Sequence, residues 1–278
     1  MYKIDSHQHF WQYNPVKDSW ITDEMAVLKN NFLPADLKPE LESHGFEGCV
    51  TVQAGQTEDE SLFLVELTEQ NSFIKGVVGW VDLVAENVEE RLNYFSQYEK
   101  LKGFRHILQG ETNRAYMLQP EFKHGIAKLK QFDFTYDILI NNDQLIYISE
   151  FVDLFPDQLF VIDHLAKPNI KAKEIEEWKK YIIEIAKRPN VYCKVSGMVT
   201  EADWANWQPA DLHPYLDVVF EAFSAKRVMY GSDWPVCLLA ATYSQWYETI
   251  DDYCSRLSES EQELFWSGNA ISFYNLKN

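Results

Sequence analysis

Residues 2–10 read YKIDSHQHF. The run is apolar at both ends, and its middle carries Asp5, His7 and His9 at alternate positions. Alternation along a strand puts such residues on one face. Three polar, proton-handling groups on one strand face are costly unless they are paired or used.

Seven further runs of strand character follow along the chain: CVTVQA (49–54), IKGVVGWVDL (74–83), LKGFRHIL (101–108), FTYDILI (134–140), LFVIDHLA (159–166), VYCKVSG (191–197) and VMYGSDWP (228–235). Their near-continuous apolar character predicts strands buried on both faces, as in a parallel sheet. The segments between them have helical periodicity. PADLKPELESHG (34–45) starts with Pro and Asp and stops at Gly, which suits a helix start and end. TEDESLFLVELTEQN (57–71) places acids in its first turn, where the helix dipole favours them. Eight strands alternating with eight helices over 278 residues favour an α/β fold closed as a (β/α)8 TIM barrel over an open doubly wound sheet. No Gly-rich phosphate loop follows an early strand, which argues against nucleotide binding. No linker or repeat interrupts the pattern, so residues 1–278 are expected to form a single domain. The stretch 10–33 is a long loop bearing Trp11, Tyr13, Trp20 and Phe32, placed to cover a site.

Composition narrows the function classes. Forty-three acidic against 25 basic residues leave a net charge of −18, which repels nucleic acid and anionic membranes. Neither is expected as a partner. No apolar run is long enough to span a bilayer, and the polar start lacks a signal-peptide core. The four cysteines are scattered without metal spacing and read as reduced thiols. A cytoplasmic address is the expectation.

In such a barrel the chemistry sits at the carboxyl ends of the strands. There the strands deliver in turn His7 and His9; Gln53; Trp80 and Asp82; Arg105 and His106; Asp137; Asp163 and His164; Lys194 and Ser196; and Ser232 and Asp233, followed by Trp234. One polar strand end is unremarkable, whereas so many converging ones point to a site.

The motifs DSHQHFW, GFRH, IDHLAKP, KVSG and YGSDWP, in that order at the strand ends, resemble those of the amidohydrolase superfamily. The resemblance is to its branch of sugar lactonases, which includes L-fuconolactonases, L-rhamnonolactonases and 2-pyrone-4,6-dicarboxylate lactonase. It extends to the C-terminal GNAISFYNL. It implies a (β/α)8 barrel that hydrolyses a cyclic ester, with His7, His9, His164 and Asp233 as the central cluster.

Within that cluster Asp233 is the expected general base, since a carboxylate among imidazoles stays ionised at neutral pH. His7, His9 and His164 are expected to hold the water or polarise the carbonyl, directly or through one divalent ion. Three histidines and an aspartate suit Zn²⁺, although the resemblance does not imply that activity needs the metal. A binuclear centre is not expected. Arg105, His106, Gln53, Trp80, Asp137, Lys194, Ser196 and Trp234 are candidates for binding substrate. Arg105, His106, Asp137, Trp80 and Trp234 also have a structural alternative as an ion pair, hydrogen-bond partner or packing residue. Asp5 is read as sharing the histidines' face and supporting them from deeper in the barrel. The expected substrate is a neutral sugar lactone of the L-fucono- or L-rhamnono- type, because a dicarboxylate asks for more strand-end arginines. The alternatives are a metal-dependent decarboxylase of the same superfamily, a dicarboxylate lactone hydrolase, and a catalytically silent sugar-binding barrel. Oligomeric state is not legible.

Overall fold

The computed structural model describes residues 1–277. Eight parallel strands follow one another around a barrel in sequence order: β1 (Ile4–Gln8), β2 (Gly48–Val52), β3 (Ile74–Gly79), β4 (Leu101–His106), β5 (Thr135–Ile138), β6 (Phe160–Ile162), β7 (Val191–Val195) and β8 (Val228–Tyr230). Helices join successive strands and wrap the outside, as the (β/α)8 expectation required. The strands are three to six residues long, shorter than their apolar runs. The polar ends of those runs have already left the sheet.

Two apolar layers hold the barrel. Outward side chains such as Cys49, Val77, Phe104, Tyr136, Phe160 and Val195 pack under the helices. Inward ones, Ile4, Val50, Val52, Val78, Val161 and Met229, meet each other across the axis and pack on Ala270, Phe273, Tyr274 and Leu276. The C-terminal segment is therefore the floor of the barrel, a close-packed plug rather than an outer helix.

The first strand breaks the regular pattern. Asp5 faces Cys49 and Gln8 faces Thr51, so three steps along β1 match two along β2. Such a bulge moves later side chains to the opposite face. Ile4 belongs to the inner layer, Asp5 reaches outward to the Tyr243 hydroxyl at 3.2 Å, and His7 again points inward. The expectation that Asp5 shares a face with His7 and His9 is thus overturned, because strict alternation does not survive the extra residue.

The barrel closes between β1 and β8 at the mouth. Asp233 N donates to His7 O at 2.8 Å and His9 N to Trp234 O at 2.7 Å. Asp5 Oδ1 accepts from Ser232 N at 2.9 Å and His7 N at 3.2 Å, standing in for ladder carbonyls that the bulge displaces. The 10–33 loop folds over this end. Trp11 and Phe32 form an antiparallel bridge, and Trp11, Ile21 and Leu28 pack on Ala54, Val236 and Leu239 from the loops after β2 and β8. Among the described residues no helix is long and apolar enough to cross a membrane.

Candidate active site

β1 supplies two imidazoles, His7 within its bulge and His9 just past its last residue. His9 Nδ1 donates to Val52 O at 2.7 Å, because a carbonyl can only accept. That leaves the His9 Nε2 lone pair facing inward, 3.2 Å from His7 Nε2 and 3.3 Å from Asp233 Oδ1. The neighbouring Gly231 makes room: a Cβ there would stand 2.6 Å from His7 Cβ.

The facing groups arrive by an unusual backbone. β6 ends at Ile162, and His164, Leu165, Ala166 and Lys167 then all adopt left-handed φ values of 52° to 57°. Each such L-residue costs about 1–2 kcal/mol, so the turn must be held by its surroundings. It swings His164 over the mouth, where Nε2 lies 3.8 Å from Asp233 Oδ1 and Nδ1 meets Ser196 Oγ at 2.8 Å. Gly197, itself at φ +61°, leaves the space, since a Cβ would come within 2.5 Å of His164 Nδ1. Asp233 is also left-handed, at φ 56°.

Beneath these groups lies a buried network of charges. Arg105 donates to Asp163 at 3.0 Å, to His7 Nε2 at 3.3 Å, to Gln53 Oε1 at 2.9 Å and to the Gln53 carbonyl. Lys194 Nζ lies 2.5 Å from Asp137, 3.0 Å from Asp163 and 3.1 Å from His7 Nδ1. Tyr274, on the barrel floor, donates to Asp137 at 2.8 Å.

A family model described as amidohydrolase matches residues 4–276. The chain belongs to the amidohydrolase family. It is 38% identical to an L-fucono-1,5-lactonase of Burkholderia multivorans, covering 99% of this chain and 96% of that protein. It is 32% identical to an L-fucono-1,5-lactonase of Burkholderia ambifaria, over 99% and 96%. A crystal structure of an amidohydrolase from Burkholderia multivorans with bound zinc matches at a TM-score of 0.96 and 38% identity, with both chains covered 100%.

In this amidohydrolase, His7, His164 and Asp233 each offer a ligand atom, all within 4.8 Å of one another. The set passes a chemical test for a divalent cation. Two imidazoles and a carboxylate oxygen suit a Zn²⁺-type ion with open positions, and His7 Nε2 would exchange its contact with Arg105 for the cation. His9 sits at the edge of the set. Protonation favours the same chemistry. Burial drives His164 down to about 4, against the pull of Asp233, and drives His7 well below the imidazole range. Burial opposes ionisation of Asp233, but His164, His9 and His7 outweigh it and hold the carboxyl below its usual range. At neutral pH the cluster is two neutral imidazole rings beside a carboxylate.

The residues expected to meet substrate have protein partners of their own. Lys194 and Asp137 are fully buried in the axis and bind each other below the histidines, because their inward positions lie one layer under the mouth. Arg105 and Gln53 hold one another and His7. Ser196 is buried against His164. His106 alternates with Arg105 and so turns away from the axis, where it bonds Glu111 at 2.7 Å and stacks on Tyr116, both in the segment that follows β4. Trp234 is buried edge-on against Phe10 and Phe32. Trp80 is half-buried, its backbone held by Ser61 Oγ and its indole nitrogen without a partner.

Asp163 is the residue whose importance the sequence understated. Burial opposes its charge, yet Lys194, His7 and Arg105 hold its pKa well below the carboxylate range. Its position beside His164 in IDH was the available signal. Tyr274 and Glu60 carried none. Glu60 accepts from Ala54 N and Gly55 N at 2.6 and 2.7 Å and so fixes the loop behind Gln53.

Proposed function

We propose that this amidohydrolase opens the cyclic ester of a sugar lactone, L-fucono-1,5-lactone or a close aldonolactone, to the free aldonic acid. The observation that carries this reading is its end-to-end similarity to the two L-fucono-1,5-lactonases.

Hydrolysis needs a water deprotonated beside an electrophilic carbonyl and a proton for the departing alkoxide. Asp233, ionised and buried, accepts the proton from water and returns it to the leaving oxygen. A carboxylate with so low a pKa is a weak base, so the surroundings must make the water more acidic than in bulk. A divalent cation such as Zn²⁺, held by His7, His164 and Asp233, would supply that Lewis acidity and polarise the carbonyl. His9, with Nδ1 tied to Val52 O, presents an oriented acceptor to a water or substrate hydroxyl. Arg105 and Asp163 keep His7 in place.

A neutral substrate is favoured over a dicarboxylate by the commitments of the arginines. Arg105 is engaged with Gln53, Asp163 and His7, and Arg114 pairs with Asp143 at 2.6 Å. Four buried free thiols support the cytoplasmic address.

The test is acid release, followed with a pH indicator, from a panel of aldonolactones and a dicarboxylate lactone, with and without chelator. Release from L-fucono-1,5-lactone is expected. Acid from the dicarboxylate alone would overturn the reading, and turnover that survives chelation would remove only the cation's part in it.

A further inference from the structure

We infer that Trp178 is a positioning residue for His164, acting through the left-handed turn His164–Lys167. The inference rests on the proposed lactonase reading and on His164 as a site ligand. Trp178 lies on the outer helix Glu176–Ile185. It is 3% exposed, and its indole Nε1–H donates to Leu165 O at 2.7 Å.

Leu165 is the second of four consecutive non-glycine residues in the left-handed region. Carbonyls of such a turn lack the partners that a right-handed helix or a sheet provides. Trp178 gives the buried Leu165 carbonyl its donor. The turn is closed by Lys167 N donating to His164 O at 2.7 Å. A strained backbone persists only where its environment over-determines it. Removing the indole N–H leaves a buried carbonyl unsatisfied, favours relaxation of the turn, and withdraws His164 from Asp233 and Ser196. Trp178 touches neither substrate nor cation in this account.

The experiment compares Trp178→Phe with Tyr215→Leu. Tyr215 packs on the Trp178 ring at 5.3 Å, so its variant loosens the same packing and keeps the N–H. Zinc affinity of the metal-stripped protein is measured by calorimetric titration, and kcat and KM are measured on L-fucono-1,5-lactone. Trp178→Phe is expected to weaken zinc binding about 10–100-fold, the usual scale for losing a group that orients a ligand, and to lower kcat about 10-fold with KM unchanged. Tyr215→Leu is expected to lower thermal stability and leave both readouts as in the wild type. Wild-type zinc affinity and kcat in Trp178→Phe would overturn the inference, as would equal losses in Tyr215→Leu. Should Trp178→Phe fail to fold, Trp178→His retains a ring N–H: zinc affinity near wild type supports the inference and its loss overturns it. A wild type that binds zinc but opens no lactone refutes the functional reading and leaves the titration to judge Trp178. A wild type that does neither overturns both.

Discussion

The β1 segment brings two histidines to Asp233 and the end of β6 brings one, by different backbone means. His7 and His9 stand on extended chain, two residues apart, with Val52, Asp163 and Arg105 fixing their rings. His164 stands on a left-handed turn that must be held from outside by Ser196, the space at Gly197 and the outer helix. Orientation by a strand follows from the sheet, whereas orientation by a strained turn depends on each support. The β6 wall should therefore be the more fragile, although both walls converge on the same carboxylate.

The largest effect is expected where both walls meet. Asp233→Asn keeps the shape and removes the proton acceptor, and kcat on L-fucono-1,5-lactone should fall about 10²–10⁴-fold. Near-normal turnover would break the shared-carboxylate view of both walls.

A paired glycine test separates the walls. Gly197→Ala places a methyl 2.5 Å from His164 Nδ1 at a left-handed residue, and Gly231→Ala places one 2.6 Å from His7 Cβ. Gly197→Ala is expected to cost about 10²-fold in kcat, the scale of a misplaced reacting group, because the turn has no ladder to restrain it. Gly231→Ala is expected to cost less in kcat and to show mainly in thermal stability, as the His7 backbone is held by the seam. The reverse order would show that the strand wall is the weaker one.

A smaller loss is expected from Ser196→Ala, which frees His164 Nδ1. About 10-fold lower zinc affinity, measured by titration, is the expected outcome. Unchanged affinity would show that the turn alone orients the ring.

The smallest effect is in pH dependence. His164 must be neutral to offer Nε2, and burial lowers its pKa to about 4. Its charged form therefore appears only as pH falls toward about 4, and kcat should stay flat through the ordinary imidazole range near pH 6.5. An acid limb centred near 6.5 in the kcat profile would show that His164 is solvated rather than buried.

Much of the frame was legible. Apolar runs alternating with helical segments were enough for the barrel, because a parallel strand buried on both faces leaves an uninterrupted apolar signature. Polar residues at the ends of the apolar runs were conspicuous for a related reason, but it was the resemblance of their motifs to those of sugar lactonases that singled out His7, His9, His164 and Asp233. Depth was less legible. Lys194 and Asp137 looked like mouth residues, and only the stagger of the strands shows that they lie one layer down as a buried pair. His106 looked equivalent to Arg105, yet one step of alternation turns it away from the axis onto Glu111 and Tyr116. The support of Asp137 by Tyr274, 137 residues away, leaves no local mark.

The sequence by itself determined the order of strands and helices and the identity of the groups gathered at the strand ends, since both follow from periodicity and side-chain chemistry that act locally. The tertiary structure decided which of those groups meet. The bulge turned Asp5 outward and His7 inward, the seam set Asp233 against the β1 histidines, and the left-handed turn carried His164 across to them. Each depends on contacts between segments far apart in the chain, where packing and the satisfaction of buried polar groups override local preference.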